Sequence, residues 1–182
     1  MTEDRRRRCA SSAADTQQDI VALMATTPNI VIAIADTLAT GFFLKQFRKH
    51  APKTFVAGMS MNNLETLAEI AGPAALEWAV FSQVVPNPLG KTSTVQIDHS
   101  TVMKKFRDES LSSLTLEGFA VAKTLAKAIQ MGKSGRDGLQ ELVAHRKVID
   151  LGGLTIVPSD GTHHMSNYVD MALFRKGGGL LF

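Results

Sequence analysis

Runs of apolar residues alternate with helix-like patterns through the first half of the chain, and this alternation predicts the fold class. The run NIVIAIA (29–35) is apolar at nearly every position and rich in β-branched residues, which is typical of a parallel strand covered on both faces. TFVAGM (54–59) is a second short strand. Apolar residues recur every three or four positions over 15–27, 38–50 and 64–71, which predicts helices. This order favours an α/β fold, with a parallel sheet and flanking helices.

The boundaries of these helices carry polar residues suited to capping. Thr37 or Thr40 is predicted to cap the second helix. Asp36, which precedes them at the end of the first strand, can be a functional carboxylate or simply a polar cap on that same helix. Asn62 or Asn63 is predicted to cap the third helix, and Gly72 to end it.

The second half of the chain begins with a third extended run and then becomes mainly helical. ALEWAVFSQVVP (75–86) is the extended run, and the polar segment 87–100 is predicted to be a loop. Helices are predicted over 101–109 and 115–131, and a last one begins at Ser134 or Asp137. The long helix is expected to turn one set of apolar residues inward: Leu116, Phe119, Ala122, Leu125, Ala126 and Ile129.

The end of the chain is predicted to be extended. VIDLGGLTIVP (148–158) and NYVDMALFR (167–175) are strand-like and joined by a polar turn, so we expect a long hairpin. The closing residues GGGLLF can add a final turn and strand.

Composition and charge exclude several classes of protein. The chain has 182 residues and a net charge of +3, and its mean hydropathy of +0.03 argues against a membrane span. Four arginines, Arg5 to Arg8, carry much of the basic character and lie in a lead-in, residues 1–14, that we expect to be disordered. No aromatic residues are interleaved with them, so no nucleic-acid partner is predicted. The single Cys9 excludes an internal disulfide.

Short motifs for phosphate, metal or cofactor chemistry do not have the required context. GKTS (90–93) and GKSG (132–135) lack the earlier glycine of a phosphate-binding loop, because Val85 and Lys127 stand at that position. His163 and His164 are neighbours, and neighbouring strand residues point to opposite faces, so no metal site is predicted. No cofactor is expected.

Three stretches, taken in order, carry a resemblance to a known family. After the β-α-β unit of residues 29–59 come GPAALEWAVFSQVVPNP (72–88), then LEGFAVAKTLAKAI (116–129), and finally VIDLGGLTIVPSD (148–160) with NYVDMALFRKGG (167–178). Together they resemble the C-terminal part of type I periplasmic solute-binding proteins, of the leucine- and branched-chain-amino-acid-binding type that serves ABC importers. The resemblance covers about residues 15–182.

The resemblance implies a partial two-lobed fold with a C-terminal β-hairpin. Residues 15–85 would belong to the second lobe, 86–147 would be a helical remnant of the first lobe, and 148–182 would form the crossover and the hairpin. Family members are about twice as long, bind a small solute between two lobes, hand it to a membrane permease and perform no chemistry. Periplasmic location is implied by the resemblance, although residues 1–14 do not form a signal peptide. A chain expressed as given is therefore expected to be cytoplasmic.

The same resemblance implies where the solute binds. Ligands of open α/β sheets lie outside the carboxyl ends of the strands, and the two turns there hold Asp36 with Thr37, and Ser60 with Met61. In amino-acid binders an acidic residue at the second turn often meets the ammonium group, but here that position is Ser60. Asp36 can take over this role from the neighbouring strand. The solute class therefore stays open among amino acids, amides and small organic acids.

Two other functions remain as alternatives. One is a cytoplasmic ligand-sensing module on the same fold. The other is a small α/β enzyme that uses Asp36 with Ser60 or His99, which would need a nucleophile and a base within hydrogen-bond reach. Trp78 and Tyr168, each the only residue of its type, can stack on a ligand or simply pack at the edge of the core.

Overall fold

The structure is a computed structural model and describes residues 13–106, 109–132, 135–159, 164–174 and 180–182. The helices are α1 (Ala13–Met24), α2 (Thr37–Phe47), α3 (Leu64–Ala71), α4 (Thr94–Phe106), α5 (Ser113–Met131) and α6 (Gly135–Ala144), with a 3-10 helix at Pro73–Leu76. The strands are β1 (Ile30–Ile32), β2 (Phe55–Gly58), β3 (Ala79–Gln83), β4 (Ile149–Asp150), β5 (Thr155–Ile156), β6 (Asp170–Phe174) and β7 (Leu180–Leu181).

A five-stranded sheet in the order β1-β2-β3-β6-β7 organises the first part of the fold. β1, β2 and β3 are parallel, with Val31 opposite Val56 and Val56 opposite Ala79. β6 and β7 form an antiparallel pair. The predicted α/β class, with a parallel sheet, flanking helices and a C-terminal hairpin, is confirmed. The predicted pairing of 148–158 with 167–175 in one long hairpin is wrong, because β4 pairs with β5 in a separate two-stranded sheet and β6 pairs with β7.

The described residues form two compact units. Those up to Ser82, together with Ala172–Leu181, make the first unit, and Gln83–Met171 with Phe182 make the second. Residues 1–12 of the predicted lead-in, with Arg5 to Arg8 and Cys9, lie outside the described residues. α1 begins at Ala13, two residues before the predicted start of the first helix.

The core of the first unit lies where α2 and α3 pack beside the sheet. Leu44, Phe47, Leu67 and Phe81 are fully buried. The helices approach closely because α2 has a glycine, Gly41, at the contact; a Cβ there would lie 2.8 Å from the Ile70 side chain. Local capping sets the ends of α3, as the sequence predicts.

Arg48 fixes the end of α2 in this unit. Its Nε donates to the carbonyl of Ala75 at 2.9 Å, and its Nη1 donates to the carbonyls of Ala51 at 3.2 Å and Thr54 at 2.5 Å. Burial away from water lowers the pKa of this guanidinium. One side chain therefore joins the helix end, the loop before β2 and the 3-10 helix.

β1 does not have the environment that its sequence indicates. Its burial alternates, and Ile30 and Ile32 are 56% and 69% exposed. The expectation of a strand covered on both faces is wrong for the described residues. β1 is an end strand of the sheet, and those residues leave one of its faces uncovered. Apolar composition alone does not record which segments lie beside a strand.

The third extended run is shorter than predicted. Its first residues form the 3-10 helix Pro73–Leu76, and the strand covers Ala79–Gln83. Between them Trp78 has a φ of +63°, in the left-handed region that favours glycine. The break in the extended chain falls at this residue.

The second unit is built on α4, α5 and α6. The buried residues of α5 are Leu116, Ala120, Thr124 and Ala128, which recur every four positions. The predicted inward face is therefore wrong at four positions that are exposed: Ala122, Leu125, Ala126 and Ile129. The small side chain of Ala128 lies where α6 crosses, and a Cβ on Gly138 would clash with the Ala128 carbonyl. The buried face of α5 is therefore the one with small residues, because these allow α6 to approach closely.

The predicted loop over 87–100 is wrong from residue 94 onward, because α4 begins at Thr94. Gln96, only 3% exposed, holds the preceding loop with its side chain. Its Oε1 accepts from the backbone N–H of Ser93 at 3.0 Å and from the Ser93 hydroxyl at 2.8 Å, while its Nε2 donates to the carbonyl of Asn87 at 2.7 Å. The GKTS segment is therefore part of a helix entry.

Gly152 and Gly153 make the turn between β4 and β5. Their φ angles are +85° and +106°, and the Gly152 carbonyl accepts from Val95 N–H at 3.0 Å. Among the residues that the structure describes, no helix is both long and apolar enough to cross a membrane.

Candidate functional site

Two turns follow β1 and β2 at the same edge of the sheet, because the two strands are parallel. The first turn leads from Ala33 to Thr37, and the second from Met59 to Asn63. The backbone N–H of Asn63 donates to Thr37 Oγ1 at 3.0 Å, so the two turns are in direct contact. Both turns run straight into helices, whose N-termini carry partial positive charge at this edge.

Asp36 is the N-cap residue of α2. Its Oδ1 accepts from the backbone N–H of Ala39 at 2.8 Å, and its backbone is extended, with φ −67° and ψ 175°. The interpretation of Asp36 as a polar cap is confirmed, and the capping predicted for Thr37 or Thr40 is wrong. Thr37 instead accepts from the second turn, and the Thr40 hydroxyl donates to the carbonyl of Ala35 at 3.2 Å. The Asp36 side chain is exposed.

Asn62 joins the two turns from the inside, and sequence reasoning did not assign it to the site. It is 0% exposed, and its Nδ2 donates to the carbonyls of Met59 at 3.0 Å and Ala35 at 3.4 Å. Its Oδ1 is buried and has no partner in the part of the chain that the structure describes. The two adjacent asparagines, Asn62 and Asn63, were the feature of the sequence from which this role could have been predicted. The two asparagines have different roles. Asn62 bonds to the two turns, whereas Asn63 caps α3 by accepting from Glu65 N–H and Thr66 N–H, both at 3.1 Å.

Ser60 and Met61 form the tip of the second turn. Ser60 is half-buried and Met61 is 52% exposed. Apolar side chains are also exposed on both turns, at Ile34 and Met59. This edge of the sheet thus offers a carboxylate, hydroxyls, two helix N-termini and apolar surface, which suits a small solute with polar and apolar parts.

Neither of two open cavities in the second unit contains any of the four predicted site residues. One, of about 320 Å³, is lined by Lys127, Gln130, Met131, Val148, Ile149 and Asp150. The other, of about 330 Å³, is an apolar groove whose walls include Val121, Leu125, Val143, Leu154 and Met165. The groove offers a surface for packing and little polar chemistry.

His99 does not suit the direct catalytic role that the enzyme alternative gives it. His99 is 0% exposed, and its Nε2 lies 3.1 Å from Thr115 Oγ1. Burial lowers the pKa of its imidazole. A histidine closed off from solvent cannot reach a substrate directly.

The two single aromatic residues have different surroundings. Trp78 precedes β3, at the amino ends of the parallel strands, and is 53% exposed. The Tyr168 hydroxyl donates to Asp170 Oδ2 at 3.1 Å, and burial, followed by this hydrogen bond, raises the pKa of the phenol. Tyr168 packs partly against the buried cluster of the second unit.

No metal-binding group was found within the described ranges: three or more His, Cys, Asp or Glu side chains do not come together there. His163, one of the two histidines of the rejected metal motif, lies outside those ranges.

Comparison with solved structures identifies the fold. No model of a known protein family matches the chain, and no curated protein matches its sequence. An extracellular ligand-binding receptor from Verminephrobacter eiseniae has a TM-score of 0.84 at 20% identity, over 94% of this chain and 49% of the receptor. A substrate-binding periplasmic protein from Ralstonia solanacearum has a TM-score of 0.78 at 24% identity, over 93% of this chain and 49% of its own.

A third neighbour was solved with its ligand. It is a branched-chain amino acid transporter substrate-binding protein from Streptococcus pneumoniae in complex with isoleucine, with a TM-score of 0.71 at 14% identity, over 92% of this chain and 48% of that one. The structural neighbours are thus periplasmic and extracellular ligand-binding proteins, and the resemblance stated from the sequence is confirmed at the level of the fold. The chain spans about half the length of these neighbours.

Proposed function

We propose that this chain is part of the solute-binding component of an ABC importer and that it binds a small amino-acid-like solute without altering it. The observation that carries the proposal is the contact between the turns after β1 and β2, on a fold shared with ligand-binding proteins. One neighbour was solved with isoleucine, which supports an amino acid as the solute class. We extend the proposal to a membrane permease as partner and to the periplasm as location.

The four residues of the turns have distinct roles in this proposal. Asp36 uses Oδ1 to cap α2, and its other carboxylate oxygen is available to a solute ammonium group. Thr37 positions the second turn through its bond to Asn63. Ser60 offers a hydroxyl to the polar end of the solute, and Met61, 52% exposed, covers its apolar part.

The lobe assignment is part of the same proposal. Residues 15–85 act as the second-lobe segment, 86–147 as the remnant of the first lobe, and 148–182 as the crossover and hairpin. Pockets usually bury 70–90% of a small ligand's surface. A chain that spans about half of its neighbours is therefore expected to bind its solute weakly, with a dissociation constant in the millimolar range.

The experiment is a titration of the isotope-labelled chain with isoleucine, leucine and their amides, followed by amide chemical shifts. We expect saturable shifts at the amides of Asp36, Thr37, Ser60 and Met61 with at least one solute. The variant Asp36→Asn keeps an oxygen for the helix cap but removes the charge. It should remain folded and lose at least tenfold in affinity for solutes that carry an ammonium group.

Two results would contradict the proposal. One is the absence of saturable shifts at both turns for every solute in the panel. The other is solute binding with shifts confined to the second unit. If Asp36→Asn binds as tightly as the unaltered chain, the ammonium role of Asp36 is wrong. A micromolar dissociation constant would contradict the weak binding expected of a half-length chain.

A further inference from the structure

The buried side chain of Asn62 makes one hydrogen bond within its own turn and one to the turn that follows β1. Its Nδ2 donates to the carbonyl of Met59 at 3.0 Å and, over a longer distance of 3.4 Å, to the carbonyl of Ala35. Because a carbonyl oxygen can only accept, these contacts fix which end of the amide carries the NH2 group. Both hydrogens of that group are therefore directed to the two turns.

Neither of these carbonyls depends on the Asn62 side chain for a partner. The Ala35 carbonyl also accepts from the Thr40 hydroxyl at 3.2 Å, and the Met59 carbonyl accepts from the backbone N–H of Asn62 at 3.1 Å. Asn62 Oδ1, in contrast, is buried and has no partner among the described residues. A buried acceptor without a partner costs folding free energy. The side chain therefore adds little net stability, and what it supplies is a fixed position of one turn relative to the other.

We propose that Asn62 is a positioning residue for solute binding, which holds the two turns of the candidate site in one arrangement before a solute arrives. Since Asn62 is 0% exposed, it acts through the turns and not by contact with the solute. A site that already has its bound arrangement loses less conformational freedom when the solute binds. The inference rests on the proposed function, in which these turns bind the solute.

A second bond between the turns provides a way to observe their separation. The backbone N–H of Asn63 donates to Thr37 Oγ1 at 3.0 Å, across 26 positions of the chain. Each time the turns separate, this N–H loses its acceptor and can exchange its hydrogen with solvent. The exchange rate of the Asn63 amide therefore reports how often the contact between the turns opens.

The experiment is Asn62→Leu in the full chain, which keeps a side chain of similar size and removes both the donor and the unsatisfied oxygen. We expect the urea midpoint to stay the same or to rise, because both carbonyls keep their other donors. The Asn63 amide, corrected for the change of its neighbouring residue, should exchange faster by about fivefold or more. A side chain with a structural role alone would change stability and exchange together.

Two controls separate these effects. Asn29→Leu makes the same change at an exposed residue just before β1 and should alter neither the urea midpoint nor the exchange of the Asn63 amide. Val56→Ala truncates a fully buried residue of β2 and should lower the urea midpoint. This second control measures how much faster the Asn63 amide exchanges when only stability is lost.

The consequence for binding is measured by titration with isoleucine, leucine and their amides, followed at the amides of the two turns. Asn62→Leu should bind about threefold more weakly than the unaltered chain, or weaker still, although its urea midpoint is no lower. Asn29→Leu should bind as the unaltered chain does.

Three results would overturn the inference. The first is unchanged exchange of the Asn63 amide in Asn62→Leu. The second is faster exchange that only matches a loss of stability, in the proportion set by Val56→Ala. The third is unchanged solute affinity in a variant whose Asn63 amide exchanges faster. If no solute of the panel shifts the turn amides of the unaltered chain, the proposed function is wrong, and the exchange measurement alone decides whether Asn62 positions the turns.

Discussion

Thr37 Oγ1 accepts a hydrogen bond from the backbone N–H of Asn63 at 3.0 Å, and this bond joins the start of α2 to the start of α3. The two residues are 26 positions apart, and the bond is partly buried. A side chain that begins one helix thus satisfies a backbone donor at the entry to the next.

The first prediction concerns this bond. Thr37→Val keeps the shape of the side chain but leaves the Asn63 N–H without its acceptor, so the free energy of unfolding should fall by about 1–2 kcal/mol. Thr37→Ser retains the hydroxyl and should lose less. The measurement is the urea midpoint of each variant by circular dichroism. Equal midpoints for the valine and serine variants would show that the bond contributes nothing.

The second prediction tests the conformation of Trp78. Its φ of +63° lies in the left-handed region, which glycine adopts freely and alanine rarely adopts, so Trp78→Gly should be more stable than Trp78→Ala by about 1 kcal/mol. This order is the reverse of the usual one. At Val121, exposed in the middle of α5, alanine should instead be more stable than glycine by about 1 kcal/mol. The measurement is thermal or urea unfolding of the four variants. An alanine variant more stable than the glycine variant at both positions would contradict the prediction.

The third prediction concerns the turn between β4 and β5. A Cβ on Gly152 would lie 2.6 Å from Thr94 Cβ, at a φ of +85°. Gly152→Ala should therefore destabilise the chain by about 2 kcal/mol or more, through strain and steric overlap. The control is Gly118→Ala in α5, where no atom lies within 4 Å of the added Cβ. That change should stabilise the chain by up to about 1 kcal/mol. Comparable loss in both variants, measured by urea unfolding, would contradict this account.

The fourth prediction is a pH dependence that comes from His99. Burial lowers the pKa of the folded imidazole below 6.5, so the unfolded chain takes up a proton more readily than the folded chain does. The contribution of His99 to stability is complete above the unfolded pKa and is lost as the pH falls below about 6.5. Urea midpoints between pH 7.5 and pH 5 should therefore decrease. In His99→Gln the decrease over this range should be smaller, whatever the midpoint at neutral pH, and an unchanged slope would exclude His99 as the cause.

Local signals in the sequence account for the elements that were predicted well. α3 has the predicted bounds, because Asn63 caps its first turn and Gly72 ends it with a φ of +83°. The start of α4 also has a local signal, although a loop was predicted there. Ser93 and Gln96 have the spacing of a capping box, and their side chains are hydrogen-bonded.

Contacts with other segments account for what the sequence could not predict. Ile32 is exposed although its neighbours are apolar, because no described segment covers that face of β1. In α5 the choice between two apolar stripes depends on where α6 crosses, and that crossing is fixed by Gly138 against Ala128. For the candidate site, the position of the turns follows from strand order, but the role of Asn62 depends on a carbonyl 27 residues away.

The placement of β6 beside β3 has a consequence for the order in which the chain acquires its structure. Phe174 packs edge-to-face on Phe81, with ring centroids 6.2 Å apart, although more than ninety residues separate them along the chain. During synthesis, β1, β2 and β3 leave the ribosome long before β6. One edge of β3 therefore stays unpaired while the second unit is synthesised. The sheet of the first unit is therefore complete only after the second unit has been synthesised. If translation stopped before β6, one edge of β3 would remain unpaired.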